Sequence, residues 1–180
     1  MKRSSHSSRG FSLVEVTLAL GVTAVALITI FGLLVTGTQT NHTAVEQTYS
    51  SDILTAVAAD LRATPKTSPP GAATPSPQYK INIPANPVAA ATTSTLYFSP
   101  EGQCSSSLSS FTPCDPAAPI PSPVPTIRYR LTVTFLPNGT GAKTATFVNL
   151  KMTWPATPEP TPAGKPGPSS AETFVALDRN

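Results

Sequence analysis

The chain has 180 residues, a formal charge of +3, only 12% charged residues and 21 prolines. Lys2, Arg3 and Arg9 supply three of the twelve basic residues. The other nine balance nine acidic ones, so the body of the chain lacks the basic excess that binding to nucleic acid requires. Once a membrane segment is set aside, the length leaves room for one small soluble domain.

Residues 1–10, MKRSSHSSRG, form a short, basic, hydroxyl-rich leader of the kind that opens an export signal. The apolar run that follows, 11–35, is 25 residues long. That exceeds the roughly 7–15 apolar residues of a signal peptide, and no A-x-A-like site closes it. Val16–Val35 carries no charge and as a helix spans roughly 30 Å, about one hydrocarbon core. The basic leader puts the N-terminus on the cytoplasmic side. Glu15 stands inside the apolar run, just ahead of the uncharged stretch, and a carboxylate at that depth needs a reason.

Beyond the apolar run, Val45, Tyr49, Ile53, Val57 and Leu61 fall at i, i+4 spacing, with Leu54 and Ala58 widening the stripe. Gln47, Asp52, Asp60 and Arg62 lie mostly off it, and Asp52 and Asp60 read as solvated surface charges. This pattern predicts an amphipathic helix covering a sheet and ending at Pro65. One helix is thus expected from Phe11 to Ala63, with its weak point at 36–43 (TGTQTNHT), where helix formers are poor.

After Pro65 the pattern changes to short strands between proline-rich loops. Gln78–Ile83 (QYKINI) and Thr95–Ser99 (TLYFS) alternate like half-buried strands. Pro100–Pro125 holds seven prolines and both cysteines and reads as irregular. Thr126–Leu136 alternates, with Ile127, Tyr129, Leu131, Val133 and Phe135 on one face. Its predicted hairpin partner is Lys143–Trp154, across a turn at Pro137–Gly141 built on Asn-Gly. Pro155–Pro168 is a further loop, and Thr173–Leu177 (TFVAL) reads as a final edge strand. Cys104 and Cys114 are expected to form a disulfide if this region lies outside the cytoplasm, or to remain two free thiols in a loop if it does not.

The run RGFSLVEV carries a resemblance. A basic leader ending in Gly10, then Phe11, then Ser-Leu-Val-Glu, then an unbroken apolar helix, is similar to the N-terminus of type IV prepilins and pseudopilins. Within them the chain most resembles minor pilins of the PilV and GspI type. GFSLVEVTLALG and the late FVAL strand also resemble the pilin-like Verru_Chthon cassette proteins. The likeness covers Lys2–Val35, and beyond it only the general plan agrees.

That resemblance implies an α+β, pilin-like fold: a long N-terminal membrane-spanning helix packed on a small antiparallel β-sheet with proline-rich loops. It divides the chain into a leader (1–10), a transmembrane half-helix (11–35), an amphipathic half-helix (36–64) and an extracytoplasmic sheet domain (65–180). It further implies cleavage by a prepilin peptidase between Gly10 and Phe11, N-methylation of Phe11, and assembly through Glu15, the fifth residue of the mature chain. The partners implied are that peptidase, other pilin or pseudopilin subunits and the bacterial inner membrane, crossed once, in a type IV pilus or type II secretion setting. Gly32 stands where many major pilins have a helix-kinking proline, which fits a minor pilin or pseudopilin better than a major one.

No catalytic constellation, cofactor motif or metal site is expected. His42 is the one histidine that a cleaved chain keeps, His6 lying in the leader, and it has no spacing motif around it. The rival expectation is a single-pass anchored protein that displays a proline-rich binding domain without assembling.

Overall fold

The apolar run and the amphipathic stripe fall in one helix in the computed structural model, which describes residues 12–67, 69–138, 145–156 and 168–178. Helix α1 is Leu13–Ala63. It continues through the weak point at 36–43. There the hydroxyls of Thr36, Thr38, Thr40 and Thr43 donate to backbone carbonyls three or four residues back, so the poor helix formers satisfy themselves on their own helix. The strands that follow are β1 (Thr74–Pro75), β2 (Asn82–Ile83), β3 (Thr92–Phe98), β4 (Cys104–Ser105), β5 (Tyr129–Phe135), β6 (Thr146–Trp154) and β7 (Ser169–Leu177). β1 and β2 pair with each other, and the rest form an antiparallel sheet in the order β4-β3-β5-β6-β7. The described fold is therefore α+β, one long apolar N-terminal helix with a small antiparallel sheet.

The chain divides into two compact units, Met1–Val45 and Glu46–Asn180. The second contains the last turns of α1 and all the strands. Alternation along the central strands builds its core. β5 buries Tyr129, Leu131, Val133 and Phe135, and β6 buries Thr146, Val148, Leu150, Met152 and Trp154. The register sets Val133 opposite Leu150 and Leu131 opposite Met152, so the buried apolar residues of both strands fall on one sheet face. Ile53, Leu54, Val57, Ala58 and Leu61 of α1 join those residues in a single cluster. Burying side chains of this size contributes about 1.5–3 kcal/mol each. Tyr79 and Phe98 meet edge to face inside it, with ring centroids 5.5 Å apart.

Four expectations need correction. The buried stripe of α1 begins at Ser50, and Val45 and Tyr49 are 41% and 42% exposed. Asp60 is buried instead of solvated. It lies three residues after Val57, a helical spacing that places it on the buried stripe. Residues 78–83 are not one strand: 77–79 is a turn, Lys80 has φ 53°, and only Asn82–Ile83 pairs, with Thr74–Pro75. Within Pro100–Pro125, Cys104–Ser105 forms a short strand on β3. Elsewhere the strands differ mainly in length. β3 begins at Thr92 because all seven of its residues pair with β5. β7 is the predicted edge strand, lengthened to Ser169 by pairing along all of β6. The turn at Pro137–Gly141 lies partly outside the described residues; in the described part, the Asn138 N–H donates to the Val88 carbonyl at 3.1 Å. Most of Pro155–Pro168 also lies outside them.

Asp60 explains the turn that replaced a strand. Its Oδ2 accepts from the Ser76 hydroxyl at 2.6 Å and from the Tyr79 N–H at 3.1 Å, and its Oδ1 accepts from the Gln78 N–H at 2.8 Å. The Ser76 hydroxyl oxygen in turn accepts from the Ile81 N–H at 3.1 Å. Three donors converge on one carboxylate, which holds 76–81 against the end of the helix. Asp60→Ala leaves those donors without an acceptor and is expected to destabilise the second unit by about 2 kcal/mol or more. Urea unfolding followed by the fluorescence of Trp154, the single tryptophan and only 5% exposed, measures this. An unchanged midpoint would refute the clamp.

Candidate functional site

Ser12 precedes the first helical residue, and its carbonyl accepts from the Val16 N–H at 3.2 Å. Glu15 lies in the first turn of α1, where the exposed N–H groups and the helix dipole favour a carboxylate. Ser12 and Glu15 also have the S-x-x-E spacing of a capping box. Yet Glu15 is exposed and has no hydrogen-bond or ion-pair partner among the described residues. No described side chain answers its charge.

The surface that follows Glu15 is apolar on every side. Leu13, Leu18, Val22, Ile28, Ile30 and Leu34 are each exposed by more than half and are spread round the whole helix. No stripe of polar residues interrupts them, so this part of α1 suits an apolar surrounding on all sides. By length and composition α1 can cross a membrane. Its hydroxyls fit such a place: Thr17, Thr23, Thr29 and Thr36 donate to the carbonyls of Val14, Ala19, Val25 and Gly32 at 2.7–3.0 Å. In hydrocarbon an unsatisfied donor costs several kcal/mol. A Cβ added at Gly32 meets nothing within 4 Å, so contacts within the chain do not demand glycine there.

The remaining predicted positions lie apart from this helix end. Gly10 and Phe11 fall outside the described residues. Cys104 and Cys114 sit at disulfide distance, with their Cα atoms 5.5 Å apart. Cys104 opens β4, and the Cys114 N–H donates to the Cys104 carbonyl at 3.3 Å. The loop between them is organised by the buried Ser105. Its hydroxyl donates to the Ser107 carbonyl at 2.8 Å and accepts from the Ser107 and Thr112 N–H groups. His42 lies on the exposed surface of α1, with no group of three metal-ligating side chains among the described residues.

Sequence reasoning missed two polar contacts in the second unit. One is the Asp60 clamp, for which i, i+3 spacing from Val57 was the available signal. The other is the ion pair between Glu46 on α1 and Arg128 just before β5. The Glu46 hydrogen bond raises the Arg128 pKa above its ordinary value. Nothing in the local pattern around either residue announces the pair, which joins positions 82 residues apart.

Comparisons with protein-family models, with curated proteins and with solved structures return no match.

The disulfide closes a small loop, and loop-closure entropy assigns such a bridge about 3 kcal/mol. Replacing Cys104 and Cys114 together by serine is expected to cost that much in urea unfolding. Thiol labelling of the unreduced protein checks the bond directly: no label before reductant and two after is the expected result, whereas two labelled cysteines per chain without reductant would overturn it.

Proposed function

We propose that this protein is a minor pilin or pseudopilin subunit. A prepilin peptidase removes residues 1–10, the new amine of Phe11 is methylated, and the subunit enters a type IV pilus-like or type II secretion pseudopilus fibre through α1. Before assembly the chain crosses the bacterial inner membrane once, leader inside and sheet domain outside. The observation that carries this reading is Glu15: an exposed carboxylate without a partner among the described residues, in the first turn of a helix whose next twenty residues are uncharged.

The charge calls for an opposite charge, and none of the described residues supplies one. Holding an ion at the centre of hydrocarbon costs at least roughly 2.5–3.5 kcal/mol. Cleavage after Gly10 creates a cation, the amine of Phe11. In a helical fibre the amine of one subunit can lie beside Glu15 of the next. Unit charges about 4 Å apart attract by roughly 4 kcal/mol at an effective dielectric of 20. The carboxylate is then costly in the lone subunit and compensated in the fibre, where it also fixes axial register. An α+β plan with a long apolar N-terminal helix and a small antiparallel sheet supports the same reading.

Two substitutions test it at different steps. Gly10→Glu is expected to block cleavage, because the peptidase must approach the backbone closely; N-terminal mass spectrometry reads this, with methylated Phe11 as the wild-type product. A wild-type chain that keeps residues 1–10 in its native host would instead favour a non-assembling anchor. Glu15→Gln preserves the length and hydrogen-bonding ability of a capping side chain but removes the charge. It is expected to be cleaved and inserted normally yet to enter fibres at about a tenth of the wild-type level or less, the loss of roughly 1.4 kcal/mol or more. Wild-type incorporation of Glu15→Gln would reduce Glu15 to a helix cap and sink the electrostatic account.

A further inference from the structure

The five-stranded sheet has two edges, and neither is closed along its length. All nine residues of β7 pair with β6, and no described strand lies on its other side. At the opposite edge β4 covers only Tyr97 and Phe98, so Thr92–Leu96 of β3 has no described strand outside it. Natural sheets blunt such edges with proline, lysine or a bulge. Thr92–Leu96 and Ser169–Leu177 contain neither residue, and their registers run without a bulge.

Hydrogen bonds fix which backbone groups these edges present. The Leu136 N–H donates to the Phe147 carbonyl at 2.9 Å, so Phe147 turns its backbone to β5 and Val148 turns its own to β7. Alternation carried across to β7 leaves the N–H and C=O groups of Ser170, Glu172, Phe174 and Ala176 facing outward. The Ser99 N–H donates to the Gln103 carbonyl at 3.0 Å, on the β4 side, so steps of two back along β3 leave Thr95 and Thr93 facing outward. On both edges the outward-facing residues have their side chains on the sheet face away from the core, since Leu96, Val175 and Leu177 between them are buried. The order β3-β5-β6-β7 is antiparallel throughout, so β3 and β7 run in opposite directions. A second copy in the same orientation therefore offers its β3 antiparallel to β7 with the pleat in phase.

We propose that β7 of one copy adds to the open part of β3 in a second copy of this chain, so that one antiparallel sheet continues from subunit to subunit. Strand addition of this kind takes its affinity from main-chain hydrogen bonds. The two surfaces differ, so the contact is head-to-tail and repeats along a row of copies. β4 stops the incoming strand, which sets the fullest register: Ser169 lies opposite Leu96, Ser170 opposite Thr95 and Glu172 opposite Thr93. No like charges meet in it, and Phe174, 61% exposed, comes opposite the exposed Ala91. A contact this short is weak between free molecules, and confinement in a membrane or fibre raises its effective concentration. It requires copies in one orientation, which a shared membrane supplies, and neither cleavage nor entry into a fibre.

The test is cysteine cross-linking of the full chain in vesicles of phosphatidylethanolamine and phosphatidylglycerol. Thr95 and Ser170 of one chain stand about 14 Å apart or more, three strand spacings, so cysteines there cannot join within a molecule. Opposed across the proposed contact, they come within the roughly 5.5 Å Cα separation that a disulfide spans. Mild oxidation of Thr95→Cys/Ser170→Cys is expected to give a ladder of dimers, trimers and higher species on a non-reducing gel. Each single variant should stay monomeric. Thr95→Cys/Phe174→Cys, roughly 13 Å out of register, should cross-link about tenfold less or worse, although Phe174 is well exposed. Trp154 fluorescence confirms that each variant is folded. A folded Thr95→Cys/Ser170→Cys variant that remains monomeric would overturn the proposal. So would dimers from either single variant, which indicate self-pairing of one edge, or equal ladders from the two double variants, which indicate random collision. Because the vesicles hold uncleaved chain and no fibre, failure here leaves the assembly reading to its own tests.

Discussion

One helix answers to two surroundings, and the rest of the molecule follows from that constraint. Up to Val35, α1 is apolar around its whole circumference; from Ser50 on, it is apolar along one stripe. The first pattern has no cover among the described residues. The second has one: Ile53, Leu54, Val57, Ala58 and Leu61 close the apolar face of a five-stranded sheet. A sheet face left open to water forgoes the free energy of burying its apolar side chains, so the domain needs this helix as much as the helix stripe needs a cover.

The polar groups at that junction secure it at both ends. Glu46 and Arg128 tie the helix to the entry of β5 on the exposed side. Asp60 works from the buried side, gathering the hydroxyl of Ser76 and two backbone N–H groups of a turn. The turn in turn carries Tyr79, Ile81 and Ile83 into the core. A buried carboxylate is tolerated there because its oxygens are satisfied. Exposed pairs such as Lys66 with Asp178 contribute little by comparison.

How far the sequence revealed this depended on the range of each interaction. The alternation of β5 and β6 is written locally and reads directly, as does the apolar run of α1, since both follow from fixed side-chain periods. The extent of β3 does not, because Thr92–Ser94 has no apolar alternation and becomes strand only by pairing with Val133–Phe135. The segment 78–83 has the composition of a strand, but Asp60, far earlier in the chain, bends it into a turn. Glu15 stands out in sequence as the one charge in an apolar run, and the structure adds that no described side chain answers it.

The threonines of α1 have a consequence for transfer between phases. Thr17, Thr23, Thr29 and Thr36 each spend their hydroxyl proton on their own backbone. None needs a water molecule or a neighbour to complete its bonding, so replacing lipid tails by the side chains of other helices breaks none of these bonds. Up to Val35 the helix carries one charged side chain, Glu15, so partition of that part between two apolar media would depend on packing contacts and on that carboxylate. Insulated in every hydrogen bond these hydroxyls make, it would be sensitive at a single charge.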